Sequence, residues 1–435
     1  MKRTAITLIL ILTLLMLMAA GAQFANISSA NFFPEPGPDL PRIYIRNDGS
    51  VEPATAPIER TGNLYKLTDN VVLYTIEIQR DNVVLDGAGH TIQGNASRIK
   101  GYDDGNNGVI VAERKNVNIT RLNFEQDDTG VRISSSSHIN VVDNSFFNGT
   151  ERGVVVQDST FVLIEANDFA DIWSDYPSVR CSGSENTIRN NIITGSARGI
   201  KIAGSSNVMS DNRIESIFPI ILDCANSNTI ARNNITGPAT SSLPDQNYKG
   251  TEGIALFTQC SNNIISGNNL TGFSGQAIRI VFDGSNNTIY GNYMANNQFA
   301  IALQEGAVNN TFYGNTFTAD SCKIAIHDAY GNLWDNGTIG NYWGDYNGTD
   351  GNGDGIGDTP CTVIGFKWDN DIDGFVSFVS GQDNYPLMAP YDVEHDAVVL
   401  PQAEPFLAVL VAAASVAAVV VVGAGLLIYF KKRNK

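Results

Sequence analysis

Short apolar segments alternate with Gly, Asn and Ser along most of the chain, and the pattern recurs about every 22 residues. Within each copy, three segments place apolar residues at every second position, which is the period of a β-strand. The segments are too short for helices, and turn-forming residues separate them. A repeat of this length predicts a stack of small units rather than a compact globule. Clear copies are GVRISSSSHINVVDNSFF from Gly130, GIALFTQCSNNIISGNNL from Gly253 and AIRIVFDGSNNTIYGNYM from Ala277.

Three strands joined by tight turns form one coil of an all-β parallel β-helix, in which each coil pairs with the coils above and below it. About ten or more coils, each about 4.8 Å thick, give a rod on the order of 50 Å long. Surplus residues at Thr240–Gly250 are predicted to form a loop that leaves one corner. We expect the core to consist of aliphatic pairs at equivalent positions, namely Val131/Ile133, Val154/Val156, Ile200/Ile202, Ile254/Leu256, Ile278/Ile280 and Ile301/Leu303.

Asparagines recur at two fixed places in the repeat. Asn tolerates the left-handed backbone that a sharp corner requires, and stacked Asn amides can form hydrogen bonds from coil to coil. We therefore expect these residues to be structural rather than catalytic. One series is Asn186, Asn207, Asn228, Asn263, Asn287 and Asn310, and the other is Asn191, Asn212, Asn234, Asn269, Asn292 and Asn315.

The composition excludes one class of partner and favours a location. The formal net charge is −17 and the pI is about 4.6, which argues against nucleic acid because such proteins need a basic face. Only 17% of the residues are charged, and the chain has 41 Gly. These values are typical of an extracellular all-β protein.

Two apolar stretches predict export and anchoring. Residues 1–22 have a basic start, an apolar run and small residues at the end, which indicate a signal peptide. Residues 406–430 are uncharged and long enough to span a bilayer as a helix, and the basic tail 431–435 predicts a cytoplasmic C-terminus. The repeats would then stand on the outer face of the cell membrane. The remaining predicted boundaries are a leader at 23–61, the β-helix at 62–343, an acidic cap at 344–392 and a linker at 393–405.

The five cysteines form no CxxC pair, which excludes a zinc ribbon. Cys181 occupies an inward strand position and is predicted to be a buried free thiol. Cys224 and Cys260 fall near the same corner of adjacent coils, so a disulfide between them is one hypothesis.

The acidic segment near the end of the repeats predicts a hard cation site. Oxygen-bearing side chains alternate with Gly, which is how a chain wraps calcium. Cys361 stands where an EF-hand has its closing Glu, so the loop is not an EF-hand. The alternative is a turn cluster that binds no ion. The candidate ligands are Asp350, Asn352, Asp354 and Asp358, followed by a second run at Asp369, Asp371 and Asp373.

Candidate catalytic residues are sparse. Glu305 and Asp328 occupy equivalent places on neighbouring coils, with His327 beside them. They are either an acid pair for sugar cleavage, which needs two carboxyl groups, or a solvated acidic corner. The row of outward residues that starts at Arg132 contains no carboxylate. Its basic members, Arg132, Arg180, Lys201 and Arg279, either steer an acidic glycan or are ordinary exposed charges.

Three segments together resemble the NosD-type family of β-helix proteins, also called carbohydrate-binding and sugar-hydrolase repeats. They are DNVVLDGAGHTIQG (Asp81–Gly94), the GI-x-I…SNN-x-I repeats, and GNYWGDYNGTDGNGDGIGDTPC (Gly340–Cys361) with DNYPLMAP (Asp383–Pro390). The resemblance covers roughly Gly62 to Pro390 and implies a right-handed coil. The founding members of the family are accessory proteins in copper delivery.

Copper handling favours His, Met and thiolate ligands, but the four His of this chain are scattered and few Met follow the signal peptide. We therefore expect no copper role. The first hypothesis is a membrane-anchored surface protein that binds glycans or cell-envelope proteins without catalysis. The alternatives are a polysaccharide lyase or glycoside hydrolase, and a NosD-like copper accessory protein.

Overall fold

The computed structural model describes residues 40–95, 106–172, 176–238, 250–318, 323–369 and 373–391. Its elements are β-strands. The strands that begin the stack are β1 (Arg42–Ile45), β2 (Val51–Glu52), β3 (Ile58–Thr61), β4 (Leu64–Leu67), β5 (Val71–Val72), β6 (Thr75–Ile78), β7 (Val83–Asp86) and β8 (Thr91–Gln93).

The repeats then supply most of the strands. They are β9 (Asn107–Ala112), β10 (Lys115–Thr120), β11 (Asn123–Glu125), β12 (Thr129–Ser134), β13 (Ser137–Val142), β14 (Ser145–Phe147), β15 (Arg152–Gln157), β16 (Leu163–Glu165), β17 (Asp168–Ala170), β18 (Pro177–Cys181), β19 (Thr187–Arg189), β20 (Ile192–Ile202), β21 (Val208–Ser210), β22 (Arg213–Asp223), β23 (Thr229–Ala231) and β24 (Asn234–Thr236). The later repeats give β25 (Ile254–Phe257), β26 (Ile264–Ser266), β27 (Asn269–Thr271), β28 (Gln276–Ile280), β29 (Thr288–Tyr290), β30 (Tyr293–Ala295), β31 (Phe299–Gln304), β32 (Thr311–Tyr313), β33 (Thr316–Phe317) and β34 (Ile324–His327). The chain closes with β35 (Tyr342–Trp343), β36 (Cys361–Asp369) and β37 (Gly374–Asp383).

The predicted stack of three-strand coils is confirmed. The middle strands form one sheet of 12 strands, and the first and third strands form a second sheet of 25 strands. Within the larger sheet, the row of first strands and the row of third strands are joined by β20 and β22. Each of these strands runs through the corner between a third strand and the next first strand. Parallel pairing already includes β1 with β6, so the stack begins ahead of the predicted boundary at residue 62.

The interior is the predicted rod of aliphatic side chains. Every residue of the predicted inward pairs is fully buried. Aromatic residues extend the same packing, since Phe124, Phe146 and Phe169 stack in a column with ring centroids 4.7 Å apart. At the far end Trp343 packs on Phe317 at 4.6 Å and closes the apolar interior.

The asparagines form two buried ladders. In each, the Oδ1 atom accepts the backbone N–H of the equivalent Asn one coil earlier, as in Asn186 to Asn207 at 2.9 Å. The second series was predicted one residue off in two coils, because the ladder passes through Asn233 and Asn268. Asn234 and Asn269 instead face solvent at the start of β24 and β27.

The expected left-handed backbone is also displaced by one residue. In both ladders, up to Asn315 and Asn332, the residue before the ladder Asn adopts positive φ, for example Ser206 (58°), Asp211 (57°) and Asn286 (55°). The ladder Asn thus follows the corner, where its side chain turns inward and satisfies buried backbone groups.

Several predictions fall on residues outside the described ranges, including the signal peptide, the membrane helix, the basic tail, most of the predicted loop at Thr240–Gly250, and Asp371. Within the described ranges, no helix is long and apolar enough to cross a bilayer.

Candidate functional site

A cleft of about 560 Å³ opens at the C-terminal end of the stack, and we call it the end cleft. It lies where the β36–β37 hairpin continues past the last coil. Only Ile324 and Ala325 of β34 pair with β36, so the rest of the hairpin projects beyond the paired region. The residues that line the cleft are Ile326, His327, Asp328, Ala329, Lys367, Trp368, Asp369 and Phe378.

The cleft brings together two of the three predicted catalytic residues. His327 Nδ1 lies 3.7 Å from Asp328 Oδ2, and both side chains are more than half exposed. Glu305 lies one coil earlier, where its backbone N–H donates to the His327 carbonyl at 2.9 Å. Its side chain does not line the end cleft. Asp369 lines the cleft together with Asp328, whereas a catalytic pair of Glu305 and Asp328 stays a prediction.

Sequence reasoning missed the aromatic wall of the cleft. Trp368 is 48% exposed and meets Phe375 edge-on at 5.1 Å across the hairpin. Phe375 in turn contacts Phe299 on the last full coils at 5.4 Å, which holds the hairpin against the stack. The signal was present as two alternating runs, VIGFKW and FVSFV, around a polar turn. That pattern predicts a hairpin, but its acidic turn also has the spacing of a cation loop.

The predicted basic residues do share one column, and two of the four are paired with carboxylates. Arg132, Arg180, Lys201 and Arg279 occupy one outward column of the larger sheet. Lys201 Nζ pairs with Asp223 at 2.9 Å, and Arg279 Nη1 pairs with Glu252 at 2.8 Å.

The same column extends above the predicted row. Ile110 pairs with Arg132, and Glu77 pairs with Ile110. The column therefore carries a carboxylate, and Glu77 forms an ion pair with Arg42. A continuous basic face for an acidic glycan is not formed.

In the predicted calcium loop, carboxylates accept hydrogen bonds from backbone N–H groups of the loop itself. Asp350 accepts backbone N–H groups of Gly353 at 2.7 Å and Gly355 at 2.9 Å, and these bonds, led by that from Gly355, lower its pKa. Asp358 accepts the N–H of Gly351 at 2.7 Å. Among the described residues, no three His, Cys, Asp or Glu side chains converge as metal ligands. Calcium in this loop stays a prediction.

Cys181, Cys224 and Cys260 are free thiols, so the hypothesised disulfide between Cys224 and Cys260 is not formed. Burial raises the pKa of the Cys181 thiol to about 11, and it raises the pKa of Cys260 to about 11 as well. Cys181 is fully buried, as predicted, while Cys224 is exposed.

Comparison with known families agrees with the coil stack. The family described as a right handed beta helix region matches residues 81–236 and 178–339, which together span more than half of the chain. The chain belongs to the right-handed β-helix family. This membership confirms the predicted hand of the coil, whereas a place among the NosD-type proteins stays a prediction.

Among solved structures, this β-helix is similar to the periplasmic alginate epimerase AlgG, with 17% identity over 64% of this chain and 68% of that chain and a TM-score of 0.40. The mannuronan C-5 epimerase AlgE6 A-module of Azotobacter vinelandii gives 15% identity over 63% of this chain and 80% of that chain, with a TM-score of 0.45. The tailspike protein of E. coli bacteriophage HK620, in complex with a pentasaccharide, gives 11% identity over 64% and 56%, with a TM-score of 0.39. No curated protein matches the chain.

Proposed function

We propose that this β-helix protein is a cell-surface protein that binds glycans in the end cleft and performs no catalysis of its own. The observation that carries the proposal is the composition of the cleft wall. An exposed Trp368 stands beside the polar side chains of His327, Asp328, Lys367 and Asp369.

This combination suits a sugar. Aromatic rings offer apolar area at little entropic cost, and the C–H face of a pyranose packs on such a ring while its hydroxyl groups meet polar neighbours. A volume of about 560 Å³ lies within the usual range for small-ligand sites, which combine apolar walls with a few polar groups. The cleft has room for one or two sugar units.

The proposed location rests on the two terminal apolar stretches in the sequence. A signal peptide at 1–22 would export the chain, and a span at 406–430 would anchor it with the basic tail inside. The linker from 393 to 405 is short, so the end cleft would lie nearer to the membrane than the start of the stack. In that position the cleft suits glycans of the cell's own envelope.

A glycoside hydrolase or polysaccharide lyase is the second candidate, because Asp328 and Asp369 both line the end cleft. Two carboxyl groups that face one sugar are the minimum for hydrolysis. Against it, the Asp328 side chain is 80% exposed, and an exposed carboxyl lacks the burial that tunes a general acid. A NosD-like copper role has less support, since Met209 and Met294 are buried in the core.

One experiment separates binding from catalysis. The purified protein is applied to a glycan array, and the release of reducing ends from the same glycans is followed in parallel. Binding without release supports the proposal. Release that disappears in Asp328→Asn or Asp369→Asn would instead establish the hydrolase, and no binding to any glycan would remove the sugar-binding proposal.

A further inference from the structure

A second site lies far from the end cleft, at the corner where β8 and β11 lead toward the next first strands. Its central residue is Asp127, which is 1% exposed. Both carboxylate oxygens of Asp127 are buried without a hydrogen-bond partner among the described residues, and so is Oδ1 of Asn107. A buried carboxylate without donors is strongly unfavourable, so this arrangement calls for a ligand that supplies positive charge.

Gly94 leaves a space beside one of the two Asp127 oxygens. A Cβ atom at Gly94 would lie 2.4 Å from the Gln126 carbonyl oxygen, and 2.6 Å from both Asn106 Oδ1 and Asp127 Oδ1. The three oxygens therefore converge on the side of Gly94 that lacks a side chain. Any larger residue at position 94 would fill this cradle.

The charges around Asp127 are negative. Burial raises the pKa of Asp127 well above its usual range, and the negative charges of Asp128 and Glu125 raise it further. Among the described residues, no basic side chain lowers this pKa. A single proton supplies one donor and leaves other buried oxygens unsatisfied, whereas one hard cation can be bound by several oxygens at once.

We propose that Asp127, Asn106 and the Gln126 carbonyl bind one hard divalent cation of the calcium class. The donors are one carboxylate, one side-chain amide oxygen and one backbone carbonyl, and all are oxygen, which is the ligand type that calcium prefers. With a single carboxylate the affinity belongs at the weak end, with a Kd of about 10⁻⁴–10⁻³ M, which suits an extracellular module. This site is distinct from the closing loop around Asp350 and does not depend on glycan binding.

The test is calorimetric titration of the full-length protein with calcium chloride, compared between two variants. Asp127→Asn keeps the shape of the side chain and removes its charge, and it should weaken binding at least about 10-fold. Asp350→Asn is the matched control in the closing loop and should leave this binding event unchanged. The same number of calcium sites with the same affinities in Asp127→Asn as in the parent protein, or no binding by the parent protein at millimolar calcium, would overturn the proposal.

A second readout covers the case in which Asp127→Asn does not fold. Gly94→Ala leaves Asp127 in place but puts a methyl group where the three oxygens converge, so it should weaken calcium binding at least about 10-fold. Calorimetric titration of this variant with calcium chloride measures the effect. Weakened binding in Gly94→Ala supports the Asp127 site, and the same stoichiometry and affinity as in the parent protein overturn it.

Discussion

Asn341 donates its backbone N–H to Asp383 Oδ2 over 2.7 Å, and this bond ends the longer asparagine ladder. Every earlier member of that ladder donates to the next Asn, as Asn315 does to Asn341 at 3.1 Å. Asp383 has no following coil, and it also accepts the Trp343 Nε1 proton at 2.8 Å. One carboxyl therefore terminates the polar ladder and fixes the aromatic plug of the core.

The ladder should contribute far more stability than its exposed neighbours. Asn233 Oδ1 accepts two bonds from Asn212, and its Nδ2 donates to Asn268 and to the Met209 carbonyl. Asn233→Ala leaves these buried groups unsatisfied, at about 1–3 kcal/mol each. We expect the free energy of unfolding to fall by at least about 3 kcal/mol in denaturant titration.

The adjacent Asn234 is the control, because its side chain is exposed and only accepts one bond from Asn269. Asn234→Ala should change the free energy of unfolding by less than about 0.5 kcal/mol. Equal effects of the two substitutions would mean that the ladder is not the stabilising element.

Asp383 gives the fold a pH dependence of defined sign. Burial, the largest effect, raises its pKa above the usual range, although bonds from Asn341 and Trp343 oppose the rise. Because the pKa is higher in the folded state, the Asp383 carboxyl makes its full contribution to the free energy of unfolding below the unfolded-state pKa of about 3.9. This contribution is lost as pH rises through the folded-state pKa.

The stability of the parent protein relative to Asp383→Asn should therefore decrease from pH 4 to pH 7. The loss is about 1.4 kcal/mol for each unit by which the folded pKa exceeds the unfolded one. Denaturant titrations of both proteins across this range measure the difference. A difference that is constant, or that grows with pH, contradicts the expected sign.

The repeat alone predicts the coil stack, because its apolar positions must be buried in every coil. A position that faces the core in one coil faces it in all coils. The equivalent places of Val131 and Ile278 in the repeat therefore predict that both are buried. The double Asn in several corners was harder to resolve. Asn233 and Asn234 have the same side chain, and only the backbone conformation of Arg232, with φ of 55°, decides which one turns inward.

The candidate site was less accessible to sequence reasoning because it is not part of the repeat. The end cleft joins β34 to a hairpin more than 30 residues later, and no periodicity relates His327 to Trp368. The acidic turn of that hairpin predicts a cation site, and this prediction took precedence over a hairpin with aromatic strands. The Asp127 corner left no pattern at all, since its importance comes from burial and from the missing side chain of Gly94.

Thiol reactivity should divide the cysteines by burial. Alkylation requires the thiolate, and the buried thiols of Cys181 and Cys260, with pKa raised to about 11, hold little of it at neutral pH. We expect iodoacetamide to label Cys224 in the native protein while Cys181 and Cys260 stay unmodified until unfolding. Peptide mass mapping before and after denaturation checks this, and rapid native labelling of Cys181 would contradict its placement in the core.

The two predicted acids should behave differently in glycan binding. Asp328 lines the end cleft, so Asp328→Asn should weaken binding by about 5- to 10-fold through the loss of a charge-assisted hydrogen bond. Glu305 lies one coil away, so Glu305→Gln should leave affinity unchanged. Titration of both variants with a glycan that the parent protein binds distinguishes them, and an effect of Glu305→Gln alone would move the site to the earlier coil.

The central claim is that Trp368 and its polar neighbours form the glycan-binding surface. The most direct measurement is calorimetric titration of the parent protein, Trp368→Ala and Phe161→Ala with one array-positive glycan. Phe161 is the matched control, since it is an exposed aromatic residue on a distant coil. We predict that Trp368→Ala raises the Kd at least about 10-fold with an unchanged melting temperature, while Phe161→Ala binds like the parent. Full affinity in Trp368→Ala would contradict the account.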